Sequence, residues 1–155
     1  MPSIRRLSVW DRLLAPAHRV PRLESVPEAT EVEECIRRDL EDLFRTRTSW
    51  REYLEGAAGP GAASILDYGL PDFSNLHLGP EQLVAELKRG IEDALACHET
   101  RLINPVVEVK EISEGSRSVT FGITASIAVG NQGHEVLYRT EIDFDGRVEV
   151  RNRGI

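Results

Sequence analysis

The chain has 155 residues, of which 41% are apolar and 29% charged, and it carries a net charge of −7. Its length suits one domain with its own core. No apolar run approaches the roughly 20 residues that a membrane-crossing helix needs, and the acidic balance argues against a general nucleic-acid binder.

Residues 1–27 read as a basic arm. They hold five arginines against Asp11 and Glu24, a local charge of +3, so the rest of the chain carries −10. Ile4, Leu7, Trp10, Leu13 and Leu14 recur at helical spacing, which predicts a short amphipathic helix over 3–14. Pro16, Pro21 and Pro27 then forbid a stable helix and favour an extended linker. The start lacks the continuous apolar stretch of a secretory signal. A basic, apolar-striped arm on a tether is expected to dock on a partner.

Residues 28–155 read as one folded unit. A helix is predicted from Glu31 to Arg45, with Thr30 and Glu33 as a capping box. Its apolar stripe is Val32, Cys35, Ile36, Leu40, Leu43 and Phe44, and its charged face is Arg37, Arg38, Glu41 and Asp42. Residues 46–79 are broken by Gly56, Gly59, Pro60 and Gly61. They contain Tyr68-Gly69-Leu70-Pro71-Asp72-Phe73, an apolar and aromatic run in a loop setting, which must pack on the core or on a partner. A second helix opens at Pro80, where the missing N–H costs nothing. It carries the stripe Leu83, Val84, Leu87, Ile91, Ala94 and Leu95 and ends between His98 and Arg101. Cys35 and Cys97 sit where these helices call for apolar residues and read as reduced, buried thiols.

The remainder reads as β-structure. Val107 and Val109 alternate with Glu108 and Lys110, and the stretch 119–129 keeps unbroken period two. Asn131-Gln132-Gly133 reads as a turn. Val136, Tyr138, Thr140, Ile142 and Phe144 make the inward face of the next strand, and Asp145-Gly146 a hairpin before Val148 and Val150. Helices followed by a meander predict an α+β fold: the N-terminal helices pack on one face of a three- to four-stranded antiparallel sheet. The opposite face, with Thr120, Thr124, Ser126, Arg139 and Glu141, is expected to stay wet or meet a partner.

Catalytic patterns are thin. The chain has no G-x-S-x-G elbow and no glycine-rich phosphate loop. Cys97-His98-Glu99 points its side chains to different sides of a helix, which is wrong for chelation. Acidic residues are many, so paired carboxylates arise by chance, and Asp67 and Glu99 stand out only because they border unusual segments. No catalytic residue, metal or cofactor is expected. The distinctive polar group is Glu99-Thr100-Arg101 at the end of the second helix, where Arg101 can close the helix or serve with Glu99 as a charged clamp for a partner.

These segments resemble one family. Leu43-Phe44-Arg45-Thr46-Arg47, then Ile65 through Phe73, then Glu99-Thr100-Arg101-Leu102 before Asn104-Pro105, together with Ser8-Val9-Trp10-Asp11-Arg12-Leu13 near the start, resemble the TssE subunits of type VI secretion baseplates. Those subunits are themselves similar to the gene-25-like wedge proteins of contractile phage tails. The family's signature proline is Thr100 here, which retains an N–H and leaves φ unfixed. The resemblance implies a structural subunit that joins baseplate wedge proteins (TssF, TssG, TssK) and starts polymerisation of the sheath (TssB, TssC). It implies a cytoplasmic site, docked at an inner-membrane complex, with no nucleic acid and no membrane insertion. It implies that Glu99 and Arg101 bind a partner; Tyr68, Leu70, Pro71, Asp72 and Phe73 of the apolar loop run, and Trp10, Arg12 and Leu13 of the arm, are the further candidate partner-binding residues. The family also carries a "lysozyme-like" label, so peptidoglycan cleavage is the alternative activity; similarity of fold does not transfer chemistry.

Overall fold

The computed structural model describes residues 29–48, 68–72, 80–113, 118–143 and 146–152. The arm, with Trp10, Arg12 and Leu13, and the loop residue Phe73 lie outside them.

Helix α1 spans Ala29–Arg45 and buries Val32, Cys35, Ile36, Leu40, Leu43 and Phe44, the stripe read from spacing. It begins before Thr30, which therefore lies in the first turn and does not cap it. Strand β1, Arg47–Thr48, pairs in parallel with β2, Leu70–Pro71. Helix α2, Pro80–His98, opens on its proline as expected. Cys35 is buried, but Cys97 is exposed. Position 97 lies off the stripe formed by Leu87, Ile91, Ala94 and Leu95, all of which are buried.

Four strands follow: β3 Ile103–Ser113, β4 Ser118–Val129, β5 Gln132–Asp143 and β6 Val148–Asn152. They form an antiparallel meander in the order β3-β4-β5-β6. The result is the expected α+β fold, with the parallel β1–β2 pair as an addition. The β4–β5 turn falls at Gly130-Asn131, since Val129 pairs with Gln132. It lies one residue earlier than the sequence suggests. Gly130 has φ 59°, and a type II′ hairpin turn places glycine at that first central position. The second hairpin closes through Gly146 at φ 89°, whose N–H donates to the Asp143 carbonyl at 2.9 Å.

One face of the sheet makes the core. Val119, Phe121, Ile123, Ala125 and Ile127 of β4 meet Val136, Tyr138, Thr140 and Ile142 of β5 and Val148 and Val150 of β6, all buried. Helix α1 lies on β6 and β5, and α2 on β3 and β2. Tyr138, fully buried, donates from its hydroxyl to the Glu33 carbonyl at 3.1 Å, which ties the sheet to the first turns of α1. On the opposite face Ser126, Arg139 and Glu141 are exposed, but Thr120 is buried.

Candidate interaction sites

Two places combine unusual chemistry with a defined position. The first is the turn after α2. The helix ends at His98, and the Leu102 N–H donates to the Glu99 carbonyl at 3.3 Å, tightening the last turn before β3. Unwinding brings two residues that would diverge on a helix onto one another. Arg101 donates from its backbone N–H and from Nε to Glu99 Oε1, at 3.1 and 2.7 Å, and from Nη2 to Oε2 at 2.5 Å. The same Nη2 closes on Asp39 Oδ2 of α1. Glu99 is 5% exposed. A carboxylate that far from water requires a charged, hydrogen-bonded partner, and the forked guanidinium supplies one for both oxygens. Burial alone would depress the Arg101 pKa. Its hydrogen bonds and charge interactions with Glu99 and Asp39 reverse this and raise it, so the guanidinium stays charged.

The group is thus an internal stitch between the end of α2, the start of β3 and the flank of α1. Asp39 is the member that the sequence reading missed. The signal was present: the apolar stripe runs through 32, 35, 36, 40 and 43, and residue 39 falls in line with it. A charge inside an apolar stripe asks for a buried partner. Thr100, in the position of the family's proline, is exposed on the turn.

Beside this stitch sits the Tyr68–Asp72 segment. Leu70 is fully buried, so its side chain is spent on the chain's own core, while Tyr68 and Pro71 are partly exposed and Asp72 is exposed. The Leu70 N–H donates to the Thr46 carbonyl at 2.9 Å. Gly69 has φ 118°, and a Cβ there would lie 2.5 Å from the Thr46 oxygen. Only glycine lets the segment approach this closely. Tyr68 packs edge-on against His98, with ring centroids 5.3 Å apart. Desolvation raises its hydroxyl pKa, and the charges of Asp42, Asp39 and Glu99 raise it further against the opposing effect of Arg101. Tyr68, His98, Asp39, Glu99 and Arg101 therefore form one patch at a corner of the fold.

The second place is the sheet margin, and its two edges differ. On β6 the carbonyls of Val148 and Val150 are occupied. Arg37 Nη1 donates to the Val150 oxygen at 3.1 Å, and Arg45 Nη2 to the Val148 oxygen at 3.5 Å. Glu41 holds both arginines, at 2.7 and 2.5 Å, and Asn152 Nδ2 donates to Glu33 Oε2 at 2.9 Å. At Arg37 and Glu41 the charged face of α1 lies against this edge. Among the described residues, no side chain caps the backbone of β3 in this way. Among the described residues, the exposed large apolar side chains are Ile103, Val106, Val109 and Ile112, all on β3.

Among the described residues there is no cluster of ligands suited to a metal ion, and no helix is long and apolar enough to cross a membrane. Comparison with curated proteins and with solved structures gives no match. A family model, described as baseplate wedge protein gp25, matches residues 30–132. That range takes in both helices, the Tyr68–Asp72 segment, the Glu99–Arg101 stitch, β3 and β4. The chain belongs to the gp25 family of baseplate wedge proteins.

Proposed function

We propose that this wedge-family protein is the TssE-type subunit of a type VI secretion baseplate. In this reading it has no catalytic role, joins TssF, TssG and TssK in the wedge, and starts the sheath of TssB and TssC. It works in the cytoplasm, on a baseplate docked at the inner-membrane complex. The observation that carries this reading is the asymmetry of the sheet. Two carbonyls of one edge are capped from within, while the other edge, β3, carries exposed β-branched side chains and no such cap among the described residues. An open edge of this kind is a template for strand addition by another chain.

The patch of Tyr68, Pro71, Asp72, Glu99 and Arg101 supports a second contact. Its rigid, mostly satisfied polar groups present Asp72 and the rim of Tyr68 to a wedge protein. Trp10, Arg12 and Leu13 of the arm would add a basic, apolar clamp, ordered on assembly.

The test is affinity capture of the tagged chain from its host. TssF and TssG should co-purify, with loss on removal of residues 1–22 and weakening in Glu99→Ala with Arg101→Ala, provided circular dichroism shows the variant folded. Full assembly and sheath formation by both variants would sink the assigned contacts. Release of muropeptides from purified peptidoglycan, lost on changing one carboxylate, would favour the hydrolase instead.

A further inference from the structure

We propose that in the absence of its partners the protein pairs with a second copy of itself along β3, about a two-fold axis at Val109. The β6 edge is the less open of the two, because Arg37 and Arg45 occupy the carbonyls of Val150 and Val148. The β3 edge carries the exposed apolar side chains, with Val106 55%, Ile112 51% and Val109 37% exposed. An edge strand with exposed apolar side chains is a template for pairing with another chain.

The register of β3 makes a second copy fit. Val107, Val109 and Ile112 pair with Ile123, Phe121 and Val119 and so lie on the core face. Glu108 and Glu111 pair with Gly122 and Thr120 on the outer face. Lys110 is the extra residue of a bulge between Val109 and Glu111, and its chain lies over Gly122, also on the outer face. With Lys110 and Glu111 together opposing one residue, the core-face neighbours of Val109 are Val107 on one side and Ile112 on the other, and the outer-face neighbours are Glu108 and Lys110. In an antiparallel pair centred there, Val109 faces its own copy and Val107 faces Ile112 on the core side. On the outer side Glu108 faces Lys110 in both directions.

Each Lys110, already paired with its own Glu108, would then sit between two carboxylates. Glu111 is drawn away by Arg139 at 3.3 Å. The same apolar row continues across the junction, and two four-stranded sheets become one of eight. An isologous contact of this kind closes at the dimer and leaves no further β3 edge to extend. The inference goes beyond the wedge role and does not depend on it.

The test is sedimentation velocity of the full chain over a concentration series. A monomer–dimer equilibrium is expected. Glu108→Lys and Lys110→Glu, both at exposed positions, should each weaken dimerisation by about tenfold, since each turns two opposite-charge pairs into like-charge pairs. The double exchange should restore it. Val109→Cys, in a Cys97→Ser background, should cross-link on oxidation. A monomer at every concentration would overturn the proposal, including the case in which β3 is covered only by an added sheath subunit. So would a dimer indifferent to both single charge reversals and refractory to the Val109→Cys cross-link. Failure here leaves the capture of wedge proteins untouched, and failure of that capture leaves the dimer.

Discussion

Glu99 and Arg101 stand two residues apart, and the guanidinium of one covers both carboxylate oxygens of the other while reaching across to Asp39. The unwound turn after α2 is what lets this pair meet. Arg101→Ala strands a buried carboxylate and should cost about 3 kcal/mol. Glu99→Gln with Arg101→Ala should cost less than the single arginine change, because no buried charge is left alone. Urea unfolding of the two variants checks this, and equal losses would show that the pair is not coupled.

Gly69 packs against the Thr46 carbonyl at a φ that side chains avoid. Gly69→Ala should lose about 2 kcal/mol or more, since it meets both backbone strain and a clash. Gly133, with open space around it, is the control, and Gly133→Ala should change stability by about 0.5 kcal/mol or less. Thermal unfolding of both variants measures the difference.

Thr140 is fully buried on the core face between Phe121 and Val150, and its hydroxyl finds no hydrogen-bond partner among the described residues. An unpaired buried hydroxyl costs free energy that a methyl group does not. Thr140→Val should therefore stabilise the protein by about 1 kcal/mol. A fall in the urea midpoint would show that the hydroxyl is satisfied after all.

Tyr138 is buried beside the Glu33 backbone, and desolvation, reinforced by the charges of Glu33 and Glu99, raises its pKa well above the usual phenol range. The folded state thus keeps the proton that the unfolded chain gives up near pH 10. That contribution is complete below pH 10 and falls as the pH rises beyond it. Tyr138→Phe should lose about 1 kcal/mol at neutral pH with its hydrogen bond and show a flatter alkaline limb. Unfolding free energies measured from pH 8 to 11 decide it.

Arg37 and Arg45 lie along α1 on either side of Glu41 and cap β6. Arg37→Met with Arg45→Met should open that edge and promote self-association beyond a dimer. Light scattering on the double variant, with Glu92→Gln on the exposed flank of α2 as control, checks this.

Much of this protein was legible from local pattern. The stripes at 32–44 and 83–95, the proline that opens α2 and the alternation of 119–129 name their elements because helix and strand periods are properties of the chain itself. The family resemblance was also legible, since short runs such as Tyr68 to Phe73 survive as letters. The pairing of Arg101 with Asp39 was not, because the two are far apart in sequence and meet only when α1 and the end of α2 pack on one sheet. The occupied edge of β6 was likewise invisible: Arg37 reads as a surface residue on any helical wheel until a strand is laid beside it. Local periodicity determines which face of each element turns inward. Which backbone groups remain open to another chain is decided only by how those elements are stacked, for an edge is closed by its neighbours in space.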